Sequence, residues 1–230
     1  MPQKMKEDFY YDELSDKVKC EFKCFEVKKR VGTEDVGTVD IAGVRDIGGH
    51  SSGQIELIVF EVKKAHEKKE AMAHFGKLIG QTLAYSIISH RCYMIGLFLP
   101  TEKGFSDEQK IIANHFGVGL IEAQLDRNGK IIKEFKEVLT SKHFEPPIHH
   151  KLDKVLWNLG VAQCCICGIY FRERQLKMFI IGKEELDREY LFSGLDHKKM
   201  WVCGTCSTKF NFKQRARSIK KRVSAKHKPE

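Results

Sequence analysis

Residues 55–62 read IELIVFEV, an almost unbroken apolar run. Such a run predicts a strand covered on both faces, and therefore a central one. Upstream, residues 36–44 (VGTVDIAGV) are β-branched and small, and residues 19–31 set Cys20, Phe22, Cys24 and Val27 among charges. Both segments predict strands. Gly32 to Asp35 is turn-like, and residues 46–53 (DIGGHSSG) have the composition of a loop. Residues 92–99 predict a fourth strand, closed by Pro100, and residues 118–123 a fifth.

Helical spacing separates these strands. Residues 6–17 predict a first helix, and residues 66–90 a second that places Ala71, Phe75, Leu78, Ile79, Thr82, Tyr85 and Ile88 on one face. Ser106 is a good N-cap, Gln109 completes a capping box, and the helix they start stops at Phe116 before Gly117. The order helix, three strands, helix, strand, helix, strand predicts an α/β fold with a mixed central sheet and helices on its faces. Residues 131–145 are expected to form a further helix, ended by Pro146-Pro147. The stretch PPIHHK reads as a linker between a domain of residues 1–145 and a module of residues 151–212, with a flexible basic tail at 213–230.

Three polar residues interrupt the apolar pattern in a way that suggests chemistry. Asp40 lies inside the second strand between Val39 and Ile41, where an acid is costly without a partner. Glu61 and Lys63 end the central strand, and their i, i+2 spacing puts both on one face. A hairpin between the two strands brings Asp40 beside Glu61. Two close carboxylates repel unless a cation joins them or one takes up a proton. A divalent ion with oxygen ligands, Mg²⁺ or Mn²⁺, meets that demand, with the Val62 carbonyl placed to reach it. Such an ion activates water and polarises a phosphate, and Lys63 would orient the nucleophile or neutralise developing charge. Glu-x-Lys alone is common and often only a surface pair. What distinguishes this one is an acid upstream in a strand, across a Gly-rich loop.

The motif GTVDIAG followed by IELIVFEVKK resembles that of the PD-(D/E)XK nuclease superfamily, which includes many restriction endonucleases, archaeal Holliday-junction resolvases and RecB-like exonucleases. Val39 stands where the family carries a proline. The resemblance spans roughly residues 6–125. It implies a restriction-endonuclease-like αβββαβ core, Asp40 and Glu61 as metal ligands and Lys63 as the catalytic lysine. Gln81-Thr-Leu-Ala-Tyr85 looks like the Gln-x₃-Tyr motif of RecB-like members, with both side chains on one helix face. Many members also carry a glutamate on the first helix; Glu13 would be that residue, with Glu7 and Glu26 competing. The implied activity is Mg²⁺-dependent hydrolysis of DNA, and a homodimer is the default for such nucleases.

Eight cysteines in a chain whose N-terminus lacks an apolar signal region favour metal over disulfides. Cys164-x₂-Cys167 and Cys203-x₂-Cys206 form two knuckles able to complete tetrahedral Zn²⁺, with Cys165 as an alternative ligand. A pair of redox dithiols is the weaker reading. Asp196-His197 resembles part of an HNH nuclease site, but Asn211 stands alone after it, so the zinc reads as structural. With Trp201, Phe210 and Phe212 the module could dock on DNA. The charge of +9 is concentrated from Lys209 onward, where nine Lys or Arg face only Glu230. Such a run suits a polyanion and equally a solvated terminus, so the tail alone does not identify nucleic acid as the partner; the expected partner, double-stranded DNA, comes from the nuclease resemblance. No run of residues is long and apolar enough to span a membrane, so an intracellular, cytoplasmic protein is expected; a prokaryotic source is a separate expectation. A non-catalytic zinc protein that binds nucleic acid, and a nuclease for RNA or single-stranded ends, are the competing readings.

Overall fold

The computed structural model describes residues 7–33, 37–48, 54–64, 71–147, 149–179 and 200–209. The chain divides into two compact units, Met1–Leu159 and Gly160–Glu230. Residues 49–53 of the Gly-rich loop, Asp196-His197, Phe210, Asn211, Phe212 and the basic tail at 213–230 lie outside the described residues.

The first unit is a mixed α/β layer structure. A 3-10 turn (Glu7–Tyr10) leads into α1 (Tyr11–Glu21), followed by β1 (Glu26–Thr33), β2 (Gly37–Asp46) and β3 (Ile55–Lys64). Then come α2 (Ala71–Ala84), a 3-10 turn (Tyr85–Ile87), β4 (Arg91–Phe98), α3 (Asp107–Phe116), β5 (Gly119–Leu125), β6 (Ile132–Leu139) and α4 (His149–Asn158). Six strands form one sheet in the order β1-β2-β3-β4-β5-β6. β1, β2 and β3 pair antiparallel, β4 and β5 run parallel to β3, and β6 returns antiparallel.

The apolar run of residues 55–62 is central because both faces of β3 are covered, and all eight of these residues are buried. On one face Tyr11, Leu14 and Val18 of α1 pack with Phe60, Tyr93 and Ile95. On the other, Phe75 and Ile79 of α2 pack with Met94, Leu120 and Ala113. The predicted capping box is present: Ser106 Oγ accepts from Gln109 N at 3.3 Å, and Gln109 Oε1 accepts from Ser106 N at 2.9 Å. Gly117 closes that helix with φ of 76°, a left-handed conformation suited to glycine.

Two segments differ from expectation. The alternation at Cys20, Phe22 and Cys24 does not make a strand. The stripe Tyr11, Leu14, Val18 carries α1 to Glu21, and Phe22 N closes its last turn on Val18 O at 3.0 Å. Residues 131–145 contain β6 rather than a helix. Asp126 Oδ1 accepts from Lys130 N at 2.6 Å, forming a tight turn that sends the chain back along β5. Lys133, Glu134, Lys136 and Glu137 then mark an edge strand, where charges discourage pairing with other chains. α4 lies against β1: Asn158 Nδ2 donates to Gly32 O at 3.0 Å, and Lys28 Nζ donates to Asn158 O at 2.9 Å.

The described residues of the second unit form two short antiparallel pairs. β7 (Val161–Gln163) pairs with β8 (Tyr170–Arg172), and β9 (Leu176–Phe179) with β10 (Met200–Cys203), which runs into α5 (Gly204–Lys209). Its core includes Leu176, Phe179, Met200 and Val202 around buried cysteines. No described helix is long and apolar enough to cross a membrane.

Candidate functional site

The β2–β3 ladder ends at Ile41 opposite Phe60, so the next residues along each strand are Asp40 and Glu61. Beyond that last rung the Asp40 carboxylate takes the place of a backbone acceptor: its Oδ2 accepts from Val62 N at 2.8 Å. Its Oδ1 accepts from the Tyr11 hydroxyl at 2.6 Å. Val62 thus meets Asp40 through its amide, and its carbonyl, expected to reach a metal ion, lies on the same edge of the strand.

Glu61 is only 2% exposed. Three groups donate to it: Gln81 Nε2 to Oε1 at 2.7 Å, Lys63 Nζ to Oε1 at 2.7 Å and Tyr85 Oη to Oε2 at 3.3 Å. The Tyr85 hydroxyl also lies 3.2 Å from Thr38 O. α2 ends at Ala84, and Tyr85 stands in the following 3-10 turn, still one helical step below Gln81. The structure therefore brings Asp40, Glu61, Lys63, Gln81 and Tyr85 together from β2, β3 and the α2 region.

Glu13 does not join them. Its carboxylate accepts from Ile132 N at 3.0 Å, beside β6. Glu26 opens β1 opposite Val44. Of the three acids weighed for the N-terminal position, Glu7 is the one near the site: its Oε1 accepts from Lys64 N at 3.2 Å, and it acts electrostatically on Lys63. Tyr11 was missed by sequence reasoning. The available signal was its place at the head of the buried stripe on α1, which aims it at the sheet.

The electrostatics show a surplus of negative charge. Burial, together with the Asp40 carboxylate, holds the Glu61 carboxyl above its ordinary range, although Lys63 and Tyr85 favour its ionised form. Burial opposes the charge on Lys63, yet Glu61, Glu7 and Asp40 hold its ammonium above the usual lysine value. Burial and Glu61 push the Tyr85 hydroxyl up to about 12. Three carboxylates thus act on one ammonium, an imbalance that an added cation would relieve.

In the second unit the Sγ atoms of Cys164, Cys167, Cys203 and Cys206 all lie within 4.8 Å of one another. Thiolates bound to one tetrahedral Zn²⁺ at about 2.3 Å stand roughly 3.8 Å apart, so this cluster could hold that ion. The turn that carries the first knuckle is closed by Gly168 N on Cys164 O at 2.9 Å, with Gly168 at φ of 72°. Backbone amides point at the sulfurs: Cys203 N lies 3.4 Å from Cys164 Sγ, and Cys206 N lies 3.5 Å from Cys203 Sγ. Burial disfavours the Cys164 thiolate, but the amides of Cys167, Cys203 and Ile166 hold its thiol below the ordinary value. Cys165 is outside the cluster; its amide donates to Trp201 O at 3.0 Å. Cys24 and Cys92 are buried and pushed up to about 12 by burial, as inert packed thiols are.

No family model and no curated protein matches the sequence. Among solved structures the chain is similar to SfsA from Pyrococcus furiosus in complex with Ca²⁺, at 16% identity and a TM-score of 0.31. The likeness covers 59% of this chain and 61% of that one, so the chain spans less than two thirds of that protein. At that TM-score it carries no argument about function. What the chain itself presents is a buried carboxylate–lysine site at the end of a six-stranded mixed sheet and a four-cysteine cluster able to hold zinc.

Proposed function

We propose that this protein is a metal-dependent DNA endonuclease of the PD-(D/E)XK type, with its catalytic centre in the first unit. The observation that carries the reading is the convergence of Asp40, Glu61, Lys63, Gln81 and Tyr85 at one end of β3, where negative charge exceeds positive. An ionised carboxylate offers about four lone-pair positions, so the oxygens that accept protein donors can also face a cation. Mg²⁺ is commonly held by one or two carboxylates plus waters, which fits Asp40 and Glu61. When bound, Mg²⁺ or Mn²⁺ supplies an acidified water and polarises a phosphate oxygen.

The side chains have distinct tasks in this reading. Asp40 is fixed by Tyr11 and the Val62 amide, so its carboxylate is oriented before any ligand arrives. Gln81 and Tyr85 do the same for Glu61. Lys63 lies 2.7 Å from Glu61 and 25% of its side chain is exposed, so the ammonium can turn toward a phosphate or its attacking water. Preorganised donors of this kind contribute through charge stabilisation in a site that excludes bulk water. The cysteine cluster holds a structural zinc, and the second unit with the basic tail adds phosphate contacts to duplex DNA. Free thiols in a zinc-type cluster suit the reducing cytoplasm, where we place the protein.

One observation favours a second reading. Every carboxylate oxygen of Asp40 and Glu61 already has a protein donor. A cluster satisfied in this way also suits a non-catalytic scaffold that binds nucleic acid. Incubating the protein with supercoiled plasmid, linear duplex, single-stranded DNA and structured RNA, with Mg²⁺ or Mn²⁺, separates the readings. Metal-dependent plasmid cleavage supports the endonuclease. Salt-sensitive binding with no cleavage of any substrate would establish the scaffold, and cleavage confined to RNA or single strands would move the substrate class.

A further inference from the structure

Next to the carboxylate site the first unit contains a cavity of about 420 Å³, and Lys63 belongs to both. It opens beyond the carboxyl ends of the parallel strands β3 and β4, between α2 and the segment that leads into α3. Its walls include Phe75, Phe98 and Phe105, whose rings are mutually packed at 6.1 and 5.2 Å, together with Met94 and Leu78. Lys63, Lys103 and His74 supply the basic side chains of the lining, while Lys64, also in the wall, sets its ammonium over the Tyr10 ring at 5.8 Å. Among the described lining residues the one carboxylate, Glu102, is tied into its own turn by Leu99 N at 2.7 Å.

The cavity is preformed. Glu122 Oε1 accepts from Phe105 N at 2.9 Å, which pins the aromatic wall to β5. This contact needs a glycine at 104, because a Cβ there would stand 2.1 Å from the Glu122 carboxylate. At the neighbouring position Ser106 starts the capped helix α3, so the segment is anchored on both sides. On β4, Gly96 leaves room for the rings: a Cβ there would come within 2.6 Å of Phe98.

An apolar, aromatic interior with ammonium groups at its edge is complementary to a planar aromatic ligand that carries an anion. Its volume falls within the roughly 300–1,000 Å³ typical of small-molecule sites. We infer that this cavity seats one unpaired nucleobase of the substrate strand, whose phosphate meets Lys63. The inference rests on the nuclease reading for the placement of that phosphate. A base stacked inside a duplex cannot enter a side pocket; it must be extruded or already single-stranded. The preferred substrate is therefore DNA with an unpaired nucleotide beside the scissile bond, such as a flap or overhang. Aromatic walls accept any base by its π-face, so the site selects strand state rather than sequence.

The test uses the full chain and deoxyadenosine 5′-monophosphate as probe, without added Mg²⁺ or Mn²⁺. Saturation-transfer NMR should show the base protons of the nucleotide in contact with protein, with deoxyadenosine and inorganic phosphate each binding at least about tenfold more weakly. Leu78→Trp fills the cavity and should weaken the nucleotide about tenfold or more. Lys103→Glu, at an exposed position, should weaken it severalfold and provides the same readout if Leu78→Trp fails to fold. In cleavage assays both variants should lose the preference for a flap over a blunt duplex. Nucleotide binding without any cleavage would retire the endonuclease and keep the base site. Cleavage by wild type with no nucleotide binding, or with a flap preference unaltered in both variants, would overturn the base site and leave the endonuclease standing.

Discussion

The Gln81 carboxamide donates to Glu61 Oε1 at 2.7 Å, a contact made across 20 residues of chain between α2 and β3. It shares that oxygen with Lys63. Groups that orient a metal-binding carboxylate are commonly worth about 10–100-fold in affinity or activity. Gln81→Ala should therefore lower metal-dependent kcat/KM by about that factor, with little change in melting temperature because Gln81 is exposed. Wild-type kcat/KM in this variant would remove Gln81 from the site.

Tyr11 is buried and its hydroxyl meets Asp40 at 2.6 Å. A hydrogen bond to a charged acceptor contributes about 1.5–3 kcal/mol. Tyr11→Phe keeps the ring in the α1 packing and removes only that bond. Urea unfolding should show a loss of about 1.5 kcal/mol with an unchanged m value, and Mn²⁺ should bind more weakly. A loss of stability without any change in Mn²⁺ affinity would make Tyr11 purely structural.

At the opposite end of β3, Glu56 is buried among Arg45, Arg91 and His143, at 2.5, 2.8 and 3.0 Å. Burial works against its charge, but His143, Arg91 and Arg45 together hold its carboxyl below the ordinary value of 4.5. A depressed folded value means that the stabilisation is complete above pH 4.5 and is lost as the pH falls through the folded value. Glu56→Gln should cost about 2 kcal/mol at neutral pH, less than a fully buried pair because both arginines reach solvent. The difference between variant and wild type in urea midpoint should narrow as the pH drops below 4.5. A gap that stays constant to pH 3 would show that the ion cluster does not carry this stability.

Four thiols within 4.8 Å should bind one Zn²⁺ per chain, measurable by elemental analysis of the purified protein. Cys203→Ser should lose the metal and expose the second unit to proteolysis, whereas Cys165→Ser should keep it. Zinc retained at full stoichiometry in Cys203→Ser would exclude the four-cysteine assignment.

Local chemistry was the readable part of this sequence. The capping box of Ser106 and Gln109 needs only residues three apart, and the structure contains it. Asp40, Glu61, Lys63, Gln81 and Tyr85 were placed together because strand and helix periods fix the faces of β3 and α2, and the register of β2 on β3 follows from the apolar pattern. Long-range geometry was not readable in the same way. Tyr11 reaches Asp40 across 29 residues, a contact that no local period encodes. Glu7 and Glu13 meet different strands of the sheet, Glu7 the end of β3 at Lys64 and Glu13 the edge strand β6 at Ile132, and no local pattern tells these apart. β6 looked helical because the spaced charges of an edge strand satisfy a helix pattern as well as a strand pattern.

In the proposed mechanism Asp40 and Lys63 are needed for phosphodiester cleavage itself, beyond any part in folding or DNA binding. The most direct measurement compares plasmid cleavage by wild type, Asp40→Asn and Lys63→Met in Mg²⁺ or Mn²⁺, with DNA affinity and melting temperature recorded for each. Cleavage should fall at least about 100-fold in both variants, with each still folded and DNA affinity reduced by no more than about tenfold. Cleavage that survives both substitutions would contradict that mechanism.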